Sequence, residues 1–339
     1  MFRHGAVQLC GQAEAAIIFA ACVFFFETAS IRANIRIISR LVVEVLDDYW
    51  QNAPAFSTAM ELYMNLIIQG LEIENSDLRA LAKLAGANHI ERITGEAFRL
   101  KNATQREHVA QYCADAGLDY AFVEPSALLA DFRLVAMDMD STLLAIESID
   151  EIADMRGIKP QVAEITQRTM RGEIVFEESL RQRTALLHGL EEEALQQVYD
   201  SRVRLSPGAE KMLQRMKSAG LKTMVISGGF TFFTERIKTK LDFDYAAANT
   251  LEIVDGKLTG RVLGKIVGAE GKAEVLRKIS GELGLRREQI IAIGDGANDL
   301  KMMGEAGVSI AYHAKRIVQD NATYAINHVG LDGVVNLFG

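Results

Sequence analysis

The sequence predicts an α/β fold: a doubly wound parallel sheet with an inserted helical cap, plus a small N-terminal α/β domain. In the second half of the chain, short apolar runs typical of strands buried on both faces alternate with helical patterns. Residues 149–203, which follow the first of these runs, have a helical pattern and no credible strand. Strand and helix patterns also alternate over residues 64–125, which is enough chain for a separate small module.

Length and composition limit the classes to which the protein can belong. At about 150 residues per domain, 339 residues favour two or three domains. A hydrophobic fraction of 49% and a charged fraction of 24% are ordinary for a globular protein. The net charge of -8 and the lack of a long Lys/Arg run argue against a nucleic-acid partner. Three scattered cysteines (Cys10, Cys22 and Cys113) are too few for a disulfide framework, so a reducing cytoplasm is expected.

Residues 1–60 contain no motif and are interpreted as an N-terminal extension of unknown role. Within them, residues 15–26 form an apolar run that is shorter than the about 20 residues of a membrane-spanning helix. Its length allows the core of a signal peptide, and a buried or adventitious segment is the alternative. Because nothing later in the chain indicates export, we expect a cytoplasmic protein without a membrane partner.

Residues 61–130 are predicted to form the small N-terminal α/β domain. Leu78, Leu81 and Leu84 recur at helical spacing, and Gly117 is typical of a helix end. Such a module could bind a small effector, be purely structural, or support a homodimer. The pattern predicts strands at 65–73, 89–100 and 119–125 and helices at 76–87 and 104–118.

Residues 131–339 are predicted to form the doubly wound domain, with the helical cap inserted at about 146–205. Asp255-Gly256 between two alternating runs indicates a hairpin over residues 250–263. A helix is predicted at 208–220, behind Pro207. The predicted buried strands are 132–140, 222–227, 289–294 and 308–312.

The ends of three predicted strands carry the polar residues best suited to chemistry. Ligands of an open α/β sheet bind beyond the carboxyl ends of its strands, so these residues should converge. Four carboxylates held together would repel one another unless a cation or a lysine neutralised them, and Lys272 is the candidate lysine. The residues at these ends are Asp138, Asp140, Ser227, Gly228, Asp295, Asn298 and Asp299.

This set of residues is suited to phosphoryl transfer assisted by Mg²⁺. A few hard oxygen ligands, with room for water and phosphate, are what Mg²⁺ prefers. One aspartate can act as a nucleophile and form an aspartyl phosphate, while a second can protonate the leaving oxygen and later activate water. Lys272 and Ser227 would hold phosphoryl oxygens. Calcium-loop, dinucleotide-binding, P-loop and nucleophile-elbow patterns are each incomplete.

These segments resemble the four signature motifs of the haloacid dehalogenase superfamily of phosphatases. Their order and spacing match over residues 132–339. Within the superfamily, the chain is similar to the phosphoserine phosphatase family. That resemblance implies Mg²⁺-dependent hydrolysis of O-phosphoserine to serine and phosphate, the last step of serine biosynthesis. The matching segments are 138–142, 227–229, Lys272 and 294–299.

The resemblance implies a role for each of these residues. Asp138 would be the nucleophile and a metal ligand. Asp140 would be the general acid and base, and it would reach the metal through its backbone carbonyl. Asp295 would be the main metal ligand from the third strand, with Asp299 supporting it. The residues that would hold the phosphoryl group or touch the substrate are Ser227, Gly228, Lys272 and Asn298.

Four residues outside the general motifs carry the resemblance to the narrower family. Glu147, nine residues after Asp138, would meet the substrate ammonium. Arg183 in the cap would hold the substrate carboxylate, a bidentate contact that lysine reproduces poorly. Met170 and Phe176 match positions that line the substrate pocket. The implied substrate is therefore a small zwitterion.

Some alternatives stay open. The N-terminal module resembles, by pattern alone, the small ACT-like domain that many family members carry. The same core could act on another small phosphomonoester, or transfer phosphate to an acceptor such as homoserine. The chain could also be a regulatory amino-acid-binding protein with a vestigial phosphatase core, but the presence of Asp138, Asp140, Lys272 and Asp295 argues against this.

Overall fold

The computed structural model describes residues 63–339. The predicted extension of residues 1–60 and its apolar run at 15–26 lie outside the described residues. Within 63–339, no helix combines the length and the apolar character needed to cross a membrane. The predicted domain limits at 61–130 and 131–339 stay predictions.

The N-terminal part of the described chain is a four-stranded antiparallel sheet with two helices. Its strand order is β2-β3-β1-β4, the arrangement of a ferredoxin-like βαββαβ unit. The ACT-like resemblance of this module stays a prediction. The elements are β1 (Met64–Gln69), α1 (Asn75–Ala85), β2 (His89–Arg92), β3 (Ala97–Ala103), α2 (Val109–Ala116) and β4 (Asp119–Val123).

The single strand predicted at 89–100 is wrong, because this stretch contains a hairpin. The backbone N–H groups of Ile93 and Thr94 both donate to the carbonyl of Ala97, at 2.9 and 3.1 Å, and close a tight turn. Gly95 lies inside that turn, and a Thr-Gly pair between two apolar runs is a weak turn signal. The predicted helices at 76–87 and 104–118 are confirmed as α1 and α2, although α1 already ends at Ala85 and α2 begins only at Val109.

The small sheet is covered on both faces. Leu66, Ile68 and Leu100 pack against α1 and α2, whereas Ile67 and Ala121 belong to the main core of the protein. Polar contacts also join the face that carries Ile67 and Ala121 to the rest of the protein. The buried carboxylate of Asp119 accepts the backbone N–H groups of residues 327–329, at 2.7, 2.9 and 3.1 Å.

The second sheet has seven strands in the order β11-β10-β9-β5-β6-β7-β8, and all neighbours are parallel except β7 and β8. The predicted doubly wound sheet is thereby confirmed. Both β5 and β9 are buried over their whole length, as their continuous apolar runs predict. The strands are β5 (Leu134–Met137), β6 (Lys222–Phe230), β7 (Tyr245–Val254), β8 (Lys257–Leu263), β9 (Ile290–Gly294), β10 (Val308–Tyr312) and β11 (Tyr324–Ile326).

The predicted hairpin is confirmed as β7 and β8. Asp255 and Gly256 at its turn have φ values of 50° and 74°, the left-handed conformation that this pair tolerates. The edge strand β11 was not predicted. It has only three residues, too few for a period-two pattern to stand out.

The segment between β5 and β6 supplies the helical cap. The structure assigns four helices and no strand to residues 149–203, as predicted, apart from an isolated bridge between Glu191 and Lys257. The cap helices are α3 (Ser148–Met155), α4 (Lys159–Met170), α5 (Phe176–Ala185) and α6 (Glu193–Arg202). The remaining helices are α7 (Ala209–Ser218), α8 (Thr231–Leu241), α9 (Ala269–Glu282), α10 (Leu300–Gly304), α11 (Arg316–Gln319) and α12 (Gly333–Asn336).

Candidate active site

The three strand ends singled out in the sequence lie side by side. The strands β9, β5 and β6 are consecutive in the sheet and parallel, so their carboxyl ends share one edge. Asp138 and Asp295 directly follow β5 and β9, and Ser227 lies in β6 where its regular pairing with β7 is interrupted after Ile226. Their convergence follows directly from the sheet order.

A buried lysine links two of the carboxylates. Lys272 Nζ lies 2.7 Å from Asp138 Oδ2 and 2.7 Å from Asp299 Oδ1, and the lysine side chain is fully buried. Burial and the nearby Asp299 raise the pKa of Asp138 well above its usual range, while Lys272 opposes that shift. Burial alone would lower the pKa of Lys272, but the two carboxylates outweigh it and raise that pKa. The lysine therefore stays charged.

A cluster of three carboxylates could hold a divalent cation. One oxygen from each of Asp138, Asp295 and Asp299 lies within 4.8 Å of the others. Burial and the nearby Asp299 raise the pKa of Asp295 to about 6, although a hydrogen bond from Thr142 Oγ1 at 2.9 Å opposes this shift. Carboxylates that repel one another in this way, and that offer only hard oxygen ligands, fit a small divalent cation.

Both carboxylate oxygens of Asp299 have hydrogen-bond donors in the protein. Its Oδ1 accepts from Lys272, and its Oδ2 accepts the backbone N–H of Gly296 at 3.0 Å. The side chain is completely buried. Both oxygens of Asp138 are engaged as well, by Lys272 and by the backbone N–H of Met139 at 2.7 Å. The supporting role of Asp299 and the direct ligation of a metal ion by Asp138 and Asp295 stay predictions.

The Asp140 carboxylate has a different set of partners. Its Oδ1 accepts the backbone N–H of Ser148, and its Oδ2 accepts the hydroxyl of the same residue, both at 3.0 Å. The Ser227 hydroxyl lies 3.5 Å from Oδ2. Burial and the nearby Glu147 raise the pKa of Asp140 to about 7, against these hydrogen bonds. A carboxyl group with such a pKa can both give and take a proton near neutral pH.

The last part of β6, after Ile226, is shaped by glycine. A side chain on Gly229 would place its Cβ 2.5 Å from Asp140 Oδ2, so only glycine allows this close approach. The backbone N–H of Gly229 donates to Ser227 Oγ at 2.8 Å. Asn249, which is buried, donates to the Gly228 carbonyl at 2.9 Å and accepts from the Val267 N–H at 2.7 Å. It thereby ties the last part of β6 to the segment that precedes α9.

The cap brings a cation and an anion over the strand ends. Arg183 Nε is buried and has no hydrogen-bond partner within residues 63–339. Burial lowers the pKa of Arg183, while Glu147, Asp150 and Asp140 oppose this shift. Glu147 is exposed as a residue, but protein atoms enclose its carboxylate and raise its pKa, against a 2.7 Å hydrogen bond from Ser141.

The remaining predicted residues differ in how firmly the structure ties them to the site. Phe176, at the start of α5, lies against Gly228 of β6. A side chain on Gly228 would place its Cβ 2.9 Å from the Phe176 ring. Asn298 lies between Asp295 and Asp299 and is partly buried. Met170 ends α4 and is 62% exposed, so its place in the substrate pocket stays a prediction.

Several side chains in the site have no role in the sequence-based account. Thr142 lies within a recognised motif, yet its contact with Asp295 crosses from one strand end to another and leaves no pattern along the chain. Ser148 could have been suspected only as a small polar residue at a helix start. Asn249 and Gly229 act through contacts with distant segments, which one sequence does not reveal.

Replacing Lys272 by methionine is expected to destabilise the metal-free protein by about 3–5 kcal/mol, because buried carboxylates lose their only counter-charge among the contacts of the described chain. The folded-state pKa of Asp138 is already raised, so its charged form opposes folding as the pH rises. The loss should thus be larger at about pH 8 than at about pH 5. Urea unfolding in the presence of a chelator measures it.

The matched control is Lys211→Met, because Lys211 also pairs with a carboxylate at 2.7 Å, that of Asp332, but is 59% exposed. Its replacement should cost about 1 kcal/mol or less. Equal losses for the two variants at about pH 8 would contradict the electrostatic account of Lys272.

Comparisons with known proteins identify the family of this chain. The family model described as haloacid dehalogenase-like hydrolase matches residues 135–304. A phosphoserine phosphatase of Polaromonas sp. (strain JS666) is 52% identical over 226 residues, which are 65% of this chain and 96% of that protein. The chain belongs to the phosphoserine phosphatase family of haloacid dehalogenase-like hydrolases.

Solved structures of this family share the fold. The unliganded structure of a probable phosphoserine phosphatase from Vibrio cholerae superposes with a TM-score of 0.72 at 34% identity, covering 87% of this chain and 92% of that chain. A substrate-bound phosphoserine phosphatase complex gives a TM-score of 0.58 at 39% identity, covering 61% of this chain and 99% of that chain.

A second family model, described as a domain of unknown function, matches residues 66–109 of the chain described here.

Proposed function

We propose that the protein hydrolyses O-phosphoserine to serine and phosphate through an aspartyl phosphate on Asp138. The observation that carries the proposal is that Arg183 and Glu147, one cation and one anion, interact electrostatically with each other and lie close to Asp140 and Lys272 of the buried site. A partly buried guanidinium with a free Nε suits a carboxylate, and Glu147 suits an ammonium group. The family relatives, which bear the name of this activity, support the same substrate.

In the first half of the reaction, Asp138 attacks phosphorus and the bond between phosphorus and the serine oxygen breaks. Asp140 gives its proton to the departing oxygen, which a carboxyl group with a pKa of about 7 can do near neutral pH. Lys272 stays charged and faces the nucleophile, so it stabilises the negative charge that moves between the oxygens. Ser227 and the backbone around Gly228 hold the phosphoryl oxygens.

In the second half, water attacks the aspartyl phosphate and Asp140 takes the proton from that water. Phosphate leaves and the Asp138 carboxylate is restored, so the proton lent to serine is regained. The same residue therefore serves as acid and then as base.

We propose Mg²⁺ as the cation of the acidic cluster, held by Asp138, Asp295 and the backbone carbonyl of Asp140. When bound, it would neutralise charge on the nucleophile and the phosphoryl group. The donors are all oxygens, which suits Mg²⁺. Cytoplasmic location, a homodimer and serine biosynthesis as the pathway belong to the same proposal.

Removing divalent cations is expected to abolish phosphate release from O-phosphoserine, and Mg²⁺ should restore it. Because the pKa of Asp295 is about 6, protons should compete with the cation below that pH. The Mg²⁺ concentration for half-maximal activity should therefore rise as the pH falls below about 6. A malachite-green assay after dialysis against EDTA measures both effects.

The control is the same protein dialysed without chelator. Full activity after exhaustive chelation would contradict the proposed metal requirement. Metal-dependent release of phosphate from an aryl phosphate but not from O-phosphoserine would instead retain the chemistry and contradict the proposed substrate.

A further inference from the structure

Ser148, the first residue of α3, binds both oxygens of the Asp140 carboxylate. Its backbone N–H donates to Oδ1 and its hydroxyl donates to Oδ2, each at 3.0 Å. We propose that Ser148 is a positioning residue, which holds Asp140 in the orientation from which it protonates the departing oxygen. This inference rests on the proposed function, because it assigns a support to the acid of that reaction.

The other neighbours of Asp140 cannot replace this support. The Ser227 hydroxyl is 3.5 Å from Oδ2, at the limit of a hydrogen bond, and it also accepts from Gly229. Gly229 contributes only space, because its missing side chain lets Oδ2 approach. Ser148 is completely buried, so its hydroxyl contact with Asp140 is shielded from bulk solvent. Two side-chain hydroxyls contact Asp140 Oδ2, that of Ser148 at 3.0 Å and that of Ser227 at 3.5 Å. Removal of the Ser148 hydroxyl therefore removes the shorter of the two contacts that fix the rotation of the Asp140 carboxylate.

The same contacts connect the acid to the cap. In α3 the N-cap residue, Glu147, makes no side-chain hydrogen bond to the helix, and Asp140 accepts the first helical N–H instead. A carboxylate at this end of a helix is also favoured by the helix dipole. Glu147 is in turn bound by Ser141, next to Asp140. The residue proposed to hold the substrate ammonium and the proposed acid are thus fixed to one helix start.

The experiment compares two substrates whose leaving groups differ in their need for a proton. Serine leaves as an alkoxide unless it is protonated, whereas para-nitrophenolate leaves readily without a proton. Ser148→Ala should lower kcat/KM with O-phosphoserine by about 10-fold or more and change kcat/KM with para-nitrophenyl phosphate by less than about 2-fold. Ser148→Thr, which keeps both donors, should recover most of the loss. kcat/KM is used because it reports the steps up to loss of the first product.

The matched control is Ser309→Ala, which removes another buried serine hydroxyl, 3.2 Å from Thr323 Oγ1 and outside the site. It should leave the ratio of the two kcat/KM values unchanged, even if it lowers the melting temperature. Equal losses of Ser148→Ala on both substrates, or no loss on either, would overturn the positioning role. If the wild-type protein does not hydrolyse O-phosphoserine, the proposed function fails separately. An alkyl phosphate that it does hydrolyse then provides the same contrast for Ser148.

Discussion

Replacing Asp138 by asparagine is expected to abolish turnover of O-phosphoserine, with kcat lower by about four orders of magnitude or more. An amide oxygen is a poor nucleophile, and an acyl phosphate does not form at this position without the carboxylate. Phosphate release should disappear, and so should labelling of the protein by O-phosphoserine that carries the radioactive label on its phosphorus. Acid quenching of the labelled protein, followed by scintillation counting, measures the second effect.

The Asp138→Asn variant is expected to remain folded. Lys272 keeps Asp299 as a partner at 2.7 Å, so no buried charge is left alone. Burial and the nearby Asp299 raise the pKa of Asp138, so removal of its negative charge is not expected to destabilise the metal-free fold. Circular dichroism and a cooperative urea transition check the fold. Near-normal activity of a folded variant would contradict the nucleophile assignment.

Replacing Arg183 by alanine is expected to lower kcat/KM with O-phosphoserine by about 100-fold or more, mainly through a higher KM. The guanidinium Nε is buried and unpartnered within residues 63–339, a state that a substrate carboxylate would relieve. Para-nitrophenyl phosphate has no carboxylate, so its kcat/KM should change far less. Steady-state kinetics with the two substrates measures the difference.

Arg181→Ala is the matched control for this variant. Arg181 lies two residues earlier on the same helix and is exposed, so its loss should affect neither substrate. If Arg183→Ala lost activity equally on both substrates, Arg183 would act through the structure of the cap rather than through the substrate.

Much of the active-site chemistry could be predicted from the sequence because it depends on sheet topology. Asp138, Ser227 and Asp295 each come directly after a strongly apolar run, and parallel strands in this order bring the ends of those runs to one edge. Lys272 could be predicted as well, since carboxylates this close require a positive charge. Its double contact, with Asp138 and Asp299 at once, is the outcome of packing that only the structure gives.

The parts that escaped prediction depend on contacts between distant segments or on short elements. The hairpin at 93–97 interrupts a run that otherwise favours one strand, and β11 has only three residues. Ser148 acts on a residue eight positions earlier by folding the chain back at a helix start. Asn249 joins two loops through its amide, and one sequence contains no signal for that contact.

A substrate panel under identical conditions is the most direct test of the central claim. It should compare kcat/KM for O-phosphoserine, O-phosphothreonine, phosphorylated homoserine, glycerol phosphate and para-nitrophenyl phosphate, each with Mg²⁺ and with serine or homoserine added as acceptors. The account predicts the highest kcat/KM for O-phosphoserine, with free serine and phosphate as products. A higher kcat/KM for any other phosphomonoester, or phosphate recovered on an added acceptor, would contradict it.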